Sequence, residues 1–261
     1  MNEIKITTAG KELRYSVPAT FNEMSREQFI LTAAKTLHTA AEIDDDAYYL
    51  AMTGIEKENW NKLHFYQRYT IKRLFDFTDG TIPTITKQLL SYIDIDGQRF
   101  IGYQPGFSNT TWQEFIFADQ YMMTGKYREA AACLYRPQRP DYTGETDRRT
   151  PFTIYGTNSR MPHFNNLPEA ELLAFALNYK ALRKTHIEEK YPSLFQSSGS
   201  LNDNTSSLST NHLPLSTNFS WLPIHRTLMG DHFYDEQKFY ELNVHVILNR
   251  MNTVIQENRK K

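Results

Sequence analysis

A cluster of arginines in a proline-rich stretch is the polar feature of this sequence that is best suited to chemistry. Residues 135–149, YRPQRPDYTGETDRR, hold four arginines and two tyrosines. Arg and Tyr are favoured anchors of protein interfaces, so the stretch predicts a partner-binding or anion-binding loop. The alternative is that the arginines pair with acids of the same stretch, Asp141, Glu145 and Asp147. The candidate residues are Tyr135, Arg136, Arg139, Tyr142, Arg148 and Arg149.

Two aspartates, Asp94 and Asp96, are the next candidates, because a D-x-D pair supplies oxygen ligands for a divalent cation. They lie beside the turn of a predicted hairpin, where Asp is common for local reasons. The histidines include no His-Glu-x-x-His motif and no close pair with a third ligand at metal spacing. The pattern therefore favours the local role, and a metal-dependent enzyme that uses Asp94 and Asp96 is the disfavoured alternative.

Other catalytic chemistry has little support in the sequence. Cys133 lies in AAACLY on an apolar helix face, which is typical of a buried structural cysteine and not of a reactive thiolate. The phosphate-binding loop G-x-x-x-x-G-K-[ST], the G-x-G-x-x-G motif and the G-x-S-x-G elbow do not occur. We therefore predict a protein without catalytic, cofactor-binding or metal-binding residues that is not an enzyme.

The composition restricts the class of protein. The chain has 261 residues, a net charge of −1 and a pI of about 6.7, so no general attraction to nucleic acid or to an anionic membrane is expected. The first residues lack the pattern expected of a signal peptide, and no stretch reaches the roughly 20 apolar residues of a membrane span. A single cysteine excludes an internal disulfide. Aromatic residues make up 13% of the chain, which indicates contact surfaces beyond a minimal core.

Two segments of the chain share one pattern and must position these residues. IKITTAGKELRYSVP and IDIDGQRFIGYQP each alternate apolar and polar residues around a turn and end at a proline, which predicts two β-hairpins. Each hairpin leads through a short link to a capping box, formed by Ser25 with Gln28 and by Thr111 with Glu114. The sequence therefore predicts a repeated hairpin–cap–helix unit, and chance recurrence of short elements is the alternative.

The rest of the chain up to residue 195 is predicted to be helical apart from one long loop. DDDAYYLAMTG should form a helix that ends at Gly54, and KYREAAACLYR one that stops before Pro137. Residues 137–167 are rich in Pro and Gly, which predicts an extended loop. PEAELLAFALNYKALRKTHIEEKY is apolar nearly all round and should be a central buried helix. NWNKLHFYQRYTIKRLFDF should be one helix with an apolar stripe of Leu63, Tyr66, Ile71, Leu74 and Phe75.

The composition changes after residue 195. Residues 196–220 contain 8 Ser, 3 Thr and 4 Asn in 25 positions, too little apolar surface to offset the entropy of ordering, which predicts a flexible tether. DEQKFYELNVHVILNRMNTVIQENRKK should then form a last helix with a wide apolar face. Three residues of that face, Phe239, Tyr240 and Ile247, are the second candidate for binding a partner.

These elements predict an α+β fold that is predominantly α-helical. It contains two small β-hairpins that each lead into a helix, and a C-terminal helical unit after the flexible tether. The predicted organisation places an N-terminal hairpin with helices in residues 1–85 and a second hairpin with helices and the Pro-rich loop in residues 90–195. The tether occupies residues 196–220, and the C-terminal helical segment occupies residues 221–261.

The segments GKELRYSVPATFNEMSREQF, TWQEFIFADQYM, AACLYRP, YPSLF and ELNVHVILNRM occur in that order along the chain. In this order the sequence resembles small tail-morphogenesis proteins of tailed bacteriophages and prophages, and the resemblance covers most of the chain outside residues 196–220. Members of this group act as tail assembly chaperones or as minor tail components. The resemblance implies a non-enzymatic chaperone that binds apolar segments of a tape-measure or tail-tube subunit, with helix-in-groove contacts. A structural virion component of the neck, tail or tail tip is its alternative.

The same resemblance implies the partners and the place of action. Phage tail proteins are the expected partners, self-association is a second option, and neither a cofactor nor a membrane is expected. Nucleic acid is not expected either, because four arginines face three acids in the loop and leave little net charge. A chaperone would act in the cytoplasm of the host cell, whereas a structural component would be found in the virion.

Overall fold

The computed structural model of the protein describes residues 1–8, 10–37, 45–79, 84–144, 147–195, 221, 225–226, 229 and 235–258. This part of the chain is mainly helical and contains a two-stranded and a three-stranded antiparallel sheet, which confirms the predicted α+β class. The strands are β1 (Asn2–Thr8), β2 (Lys11–Val17), β3 (Tyr92–Ile95), β4 (Gln98–Ile101) and β5 (Arg136–Pro137).

The α-helices within the described ranges lie both between and after these strands, and short 3-10 helices and a π-helical turn at Lys184–Glu188 occur beside them. The α-helices are α1 (Arg26–Leu37), α2 (Asp45–Thr53), α3 (Lys57–Lys62), α4 (Phe65–Arg73), α5 (Trp112–Met123), α6 (Tyr127–Leu134), α7 (Ile154–Phe164), α8 (Glu169–Arg183), α9 (Pro192–Phe195), α10 (Glu236–Glu241) and α11 (Val244–Asn258).

The chain forms two compact units, each built from two stretches of sequence. The first unit contains Met1–Leu89 and Pro168–Ala181, and the second contains Leu90–Leu167 and Leu182–Lys261. Most of α8 therefore belongs to the first unit. The sequence-based boundaries stay predictions, and the predicted tether of residues 196–220 lies outside the described residues.

The first unit begins with the predicted hairpin. Strands β1 and β2 pair so that Ile4 lies opposite Tyr15 and Ile6 lies opposite Leu13. Ile4 and Ile6 are buried, while Lys5 between them is exposed, as the period of two along a strand requires. Gly10 in the turn has a φ of 77°, a conformation that a side chain would disfavour.

Helix α1 starts with the predicted capping box. The Ser25 hydroxyl oxygen accepts a hydrogen bond from the Gln28 backbone N–H at 3.2 Å, and the Gln28 side-chain oxygen accepts one from the Ser25 N–H at 2.9 Å. Two amides at the helix start are thereby satisfied. Helix α2 ends before Gly54, whose φ of 68° stops the helix as predicted.

The predicted long helix over NWNKLHFYQRYTIKRLFDF is wrong, because two short helices replace it. Leu63 and His64 have extended backbone conformations, with ψ values of 136° and 153°. His64 then caps α4: its imidazole Nδ1 accepts from the Tyr66 N–H at 3.4 Å, and its own N–H donates to the Gln67 side chain at 2.8 Å. The break rotates the residues after position 64 relative to those before it.

Helix α8 is buried or half-buried after its first residue, as predicted. Every residue from Ala170 to Arg183 is buried or half-buried. Within the first unit the Asn178 side chain accepts from the Leu89 N–H at 3.3 Å and donates to the Lys87 carbonyl at 3.2 Å. These two bonds satisfy a buried amide side chain that would otherwise be costly.

The second unit begins with the other predicted hairpin. Asp96 and Gly97 form its turn with φ values of 52° and 77°, the positive values that a tight two-residue hairpin turn needs. Strand β5 extends the sheet, with Pro137 opposite Phe100 at the edge, a position that a proline tolerates. The capping box of α5 is only half as predicted. Thr111 accepts from the Glu114 N–H at 3.2 Å, but the Glu114 carboxylate bonds to arginines instead of returning to the cap.

Residues 137–167 were predicted to be an extended loop, and this prediction is wrong for its second half, which forms α7. Thr153 caps this helix by accepting from the Gly156 N–H at 2.9 Å. Gly156 marks a close approach and not a turn, because a Cβ there would lie 2.8 Å from the Thr153 hydroxyl and 3.1 Å from a guanidinium nitrogen of Arg160. Pro162 is in the last part of the helix. Gly156 and Pro162 therefore lie within a helix, and the Pro and Gly content of this half does not indicate a loop.

The single last helix of the prediction is also interrupted, at Leu242 and Asn243. Asn243 forms an isolated β-bridge with Thr111, and the Trp112 N–H donates to the Leu242 carbonyl at 2.7 Å. The Val244 N–H donates to the Thr110 carbonyl at 3.1 Å. The break thus lets the C-terminal segment bond to the backbone at the start of α5.

No helix in the described ranges has both the length and the apolar content that crossing a membrane requires.

Cys133 is expected to resist thiol reagents in the folded protein. It is 1% exposed on α6, and burial raises the pKa of its thiol from 9.0 to about 12. Because the folded state favours the neutral thiol, this group favours folding below pH 9.0, and the contribution is lost as the pH rises toward about 12. Ellman's reagent at about pH 8 should therefore react only after urea is added. Rapid labelling of the native protein would contradict the burial of this thiol.

Candidate protein-binding face

Three of the six loop residues that were predicted to bind a partner are buried, so the prediction is wrong for them. Tyr135 is fully buried, and its hydroxyl donates to the Leu90 carbonyl at 2.6 Å. Arg136 and Arg149 are 2% and 1% exposed. These three side chains are therefore not available as anchors for a partner in this structure. The physical reason is that the ends of the Pro-rich stretch pack into the second unit instead of lying in solvent.

Glu114 is the buried acid that holds the two arginines. Its carboxylate, which is 0% exposed, accepts from the Arg149 guanidinium at 2.7 Å and from Arg136 at 3.0 Å. Asp147 accepts from the same two residues, at 3.0 Å from Arg136 and 2.9 Å from Arg149. The alternative of pairing with acids of the loop is thus supported for Asp147, while Glu114 belongs to α5 and was not considered as a partner.

Arg149 and a third buried arginine, Arg160, complete the C-terminal end of α6. Arg149 donates to the Leu134 carbonyl at 2.7 Å, and Arg160 of α7 donates to the Ala132 carbonyl at 2.9 Å. Cations are favourable there, because the last carbonyls of a helix have no partner within it and carry partial negative charge. The buried guanidinium groups therefore stabilise a helix end as well as neutralising acids.

The pKa directions of these arginines differ with the balance between burial and the charges around each one. Burial lowers the pKa of Arg160 to about 10, and its hydrogen bonds to Ala132 and Thr157 go to neutral oxygens, which do not oppose this effect. Burial also lowers the pKa of Arg136, and Glu114 opposes that effect. For Arg149 burial acts in the same direction, but Glu114 and Asp147 together outweigh it, so its pKa is raised. All three side chains stay charged at neutral pH.

The other three loop residues remain at the surface. Arg139 makes a two-bond ion pair with Asp141, at 3.1 and 2.8 Å. Tyr142 and Arg148 are exposed. The ion pair between Arg139 and Asp141 is the pairing within the loop that the sequence offered as an alternative. For Tyr142 and Arg148, the role as partner contacts stays a prediction.

The second predicted set, on the C-terminal helices, is mostly enclosed. Ile247 is 1% exposed, so it belongs to the core and cannot contact a partner. Phe239 and Tyr240 are half-buried against His225, with ring centroids at 5.2 and 4.4 Å. The exposed apolar residues of this segment are others, namely Leu242, Val246 and Val254.

The two hairpin aspartates have local partners. Asp94 accepts two hydrogen bonds from Arg99 across the hairpin, both at 2.8 Å. Asp96 accepts from the Asn166 side chain at 3.0 Å, and His163 lies 3.8 Å away. Among the described residues, His, Cys, Asp and Glu side chains form no group of three that would hold a metal ion.

The most unusual surface of the first unit lies on α4. Phe65, Tyr66 and Tyr69 are 73%, 74% and 52% exposed. The rings of Phe65 and Tyr69 stack on each other with centroids 6.4 Å apart and planes at 19°. Large aromatic side chains that are exposed together mark sites of interaction far more often than single exposed ones do. We call these three residues the aromatic face of α4.

The outward direction of this face follows from where α4 begins. With 3.6 residues per turn, positions 65, 66 and 69 fall within about 100° of one another and roughly opposite Ile71. Ile71 and the following Phe75 are 6% and 2% exposed and anchor the segment in the core of the unit. The aromatic face is thus held in solvent by the burial of the opposite side.

The charges next to the aromatic face are already paired within the first unit. Lys72 lies 3.5 Å from Asp45 and 3.4 Å from Asp46, and Arg68 lies 3.8 Å from Asp46. Arg73 lies 3.5 Å from Asp76. The exposed surface of α4 therefore consists of aromatic rings beside paired charges, without an excess of positive or negative charge.

The sequence did not reveal this face because Tyr66 was assigned to the apolar stripe of one long helix. That stripe requires Leu63 and Tyr66 to lie on the same helix, but the helix begins after His64. A histidine is an uncommon helix cap, since Ser, Thr, Asp and Asn are preferred. Gln67, three residues after His64, was the available signal for a capping box.

Comparisons with known proteins add no relative. Neither a protein-family model nor a curated protein nor a solved structure matches this chain.

Replacing Glu114 by Gln should strongly destabilise the second unit. The change removes the negative charge shared by Arg136 and Arg149 while it keeps the size of the side chain. Breaking a buried ion pair from one side typically costs about 3–5 kcal/mol. Urea-induced unfolding followed by circular dichroism would measure this loss.

The matched control is Asp141→Asn, which removes the exposed partner of Arg139. Surface pairs contribute little, so this variant should unfold like the parent protein. Equal stability of the two variants would show that the charge of Glu114 is not needed to hold the arginines.

Proposed function

We propose that this protein is a non-enzymatic assembly chaperone of a tailed bacteriophage, which holds apolar segments of a tape-measure or tail-tube subunit in the host cytoplasm. The observation that carries the proposal is the aromatic face of α4. The phage role itself rests on the resemblance of the ordered sequence segments to tail-morphogenesis proteins.

The exposure of this face favours binding of another protein. Phe65, Tyr66 and Tyr69 occupy one side of a short helix and leave most of their ring surface in water. Exposed apolar area is unfavourable for a protein that never covers it, and aromatic side chains are enriched in interfaces relative to the rest of a protein surface. A binding role explains why three such residues occur within five positions.

A structural component of the neck, tail or tail tip is the second candidate. Leu242, Val246 and Val254 add exposed apolar side chains at 40%, 53% and 43% on the C-terminal segment of the second unit. A subunit that stays in a particle needs contacts on several sides, so these further exposed side chains favour the structural role. The metal-dependent enzyme has less support, because Asp94 and Asp96 already bond to Arg99 and Asn166.

Changing the aromatic face should weaken capture of the tail partner. In the variant Phe65→Ser, Tyr66→Ser and Tyr69→Ser, three anchors are truncated, and each truncation at an interface costs about 1–4 kcal/mol. Recovery of the tape-measure or tube subunit from co-expressing cells should fall at least about tenfold. The matched control is Ile154→Ser with Tyr155→Ser, which changes two exposed apolar residues of the second unit. Full recovery by the α4 variant, with its fold verified by circular dichroism, would rule out this face as the binding site.

Mass spectrometry of purified virions separates the two candidate functions. A chaperone leaves once its client has polymerised and should be absent from the particle. A structural component should be present in a fixed number of copies per virion. Presence in fixed number would replace the chaperone proposal by the structural one.

A further inference from the structure

We infer that the ligand of the aromatic face of α4 is an amphipathic helix, bound through its apolar side and without recognition of charge. This inference rests on the proposed function in that it takes the face to be a protein-binding site. The resemblance implies a helical client in general; the inference adds that the contact is made on the aromatic face of α4 and that recognition does not depend on charge.

The size of the face argues for a segment and against a second copy of this chain. Aromatic side chains of about 150–250 Å² each, exposed to the degree seen for Phe65, Tyr66 and Tyr69, present roughly 300–500 Å². A stable complex of two folded proteins usually needs about 800 Å² on each side. The face is therefore too small to hold a dimer by itself, but it is large enough to bind a few turns of a helix reversibly.

The backbone of α4 argues for a helical ligand. Its peptide groups are engaged in the helix and in the cap at His64, and the Thr70 hydroxyl also donates to the Tyr66 carbonyl at 2.9 Å. An extended peptide on this face would lose hydrogen bonds to water without gaining bonds to a strand edge. A helix satisfies its own backbone and brings only side chains to the contact.

The charges around the face argue against recognition of an acidic or basic ligand. Arg68, Lys72 and Arg73 are each within 4 Å of a carboxylate of the first unit. Lys62 follows Glu58 at a spacing of one helical turn, where opposite charges attract. Single-stranded nucleic acid also stacks on aromatic side chains, but it needs a positively charged groove along its backbone. The cations of α4 are already neutralised, so burial of apolar surface is left as the driving force.

Binding of designed helical peptides to the full-length protein tests the inference. Three blocked peptides of about 18 residues share one leucine face, and their polar faces carry Gln, Glu or Lys. Titrations with fluorescently labelled peptides should give dissociation constants within about threefold of one another. They should also change less than about threefold between about 50 mM and 500 mM salt. A peptide of the same composition as the Gln peptide, with its leucines scattered around the helix, should bind at least about tenfold more weakly.

Two variants of the protein locate the contact and separate its parts. Phe65→Ser with Tyr66→Ser and Tyr69→Ser should weaken binding of the Gln peptide at least about tenfold. Tyr66→Phe with Tyr69→Phe keeps the rings and removes the hydroxyls, and it should change binding less than about threefold, since a ring contributes mainly its apolar area.

Several results would overturn the inference. One is that no peptide binds up to about 1 mM. Another is a strong preference for the Glu or the Lys peptide. A third is that the scattered peptide binds as tightly as the Gln peptide. If an oligothymidine binds in a salt-dependent manner, and the triple Ser variant of α4 does not bind it, the face would be assigned to nucleic acid. Dimerisation in sedimentation, also lost in that variant, would assign it to a second copy.

The results also distinguish the inference from the proposed function. If the peptides do not bind while capture of the tail subunit still requires α4, the inference fails and the chaperone role stands. If the peptides bind as expected while capture is unaffected by the α4 change, the helix-binding face stands and the phage role fails.

Discussion

The second unit depends on one carboxylate that is shielded from water. Glu114 bonds to Arg136 and Arg149, which come from the two ends of the Pro-rich stretch, and so it fixes both ends against α5. Arg149 also bonds to the Leu134 carbonyl at the end of α6. Removing a charge from such a group leaves the opposite charges buried without compensation, which costs more than an exposed pair ever contributes. The cluster therefore links two helices, a strand and a loop end through a single side chain.

The features that the sequence predicted well are set by neighbours along the chain. The Asp96-Gly97 turn, the end of α2 at Gly54 and the capping box of Ser25 with Gln28 each depend on a few adjacent residues. The burial of α8 followed from its apolar content, and the burial of Cys133 from its apolar helix face. Local backbone preferences and burial of apolar groups are strong enough here to be visible without coordinates.

The features that the sequence did not reveal depend on contacts between distant residues or on one misplaced helix start. Glu114 was assigned to a helix cap because Thr111 precedes it by three residues, but the arginines that it meets lie 22 and 35 positions further along. Gly156 and Pro162 indicated a loop because the bond from Arg160 of α7 to the Ala132 carbonyl, 28 positions earlier, was not visible. The position of α4 relative to His64 decided whether Tyr66 would be buried or exposed, so a shift of one cap hid the candidate binding face.

The bridge between Thr111 and Asn243 has a consequence for how the protein is made. The Asn243 side chain reaches the carbonyl of Thr110, which precedes it by 133 positions. Chains emerge from the ribosome from their N-terminal end, and domains tend to fold as they emerge. The start of α5 must therefore wait for its backbone partners until residue 243 has left the ribosome, and the first unit must likewise wait for α8. Translation alone thus leaves both units unfinished for most of synthesis, and pairing of such distant segments is intrinsically slow.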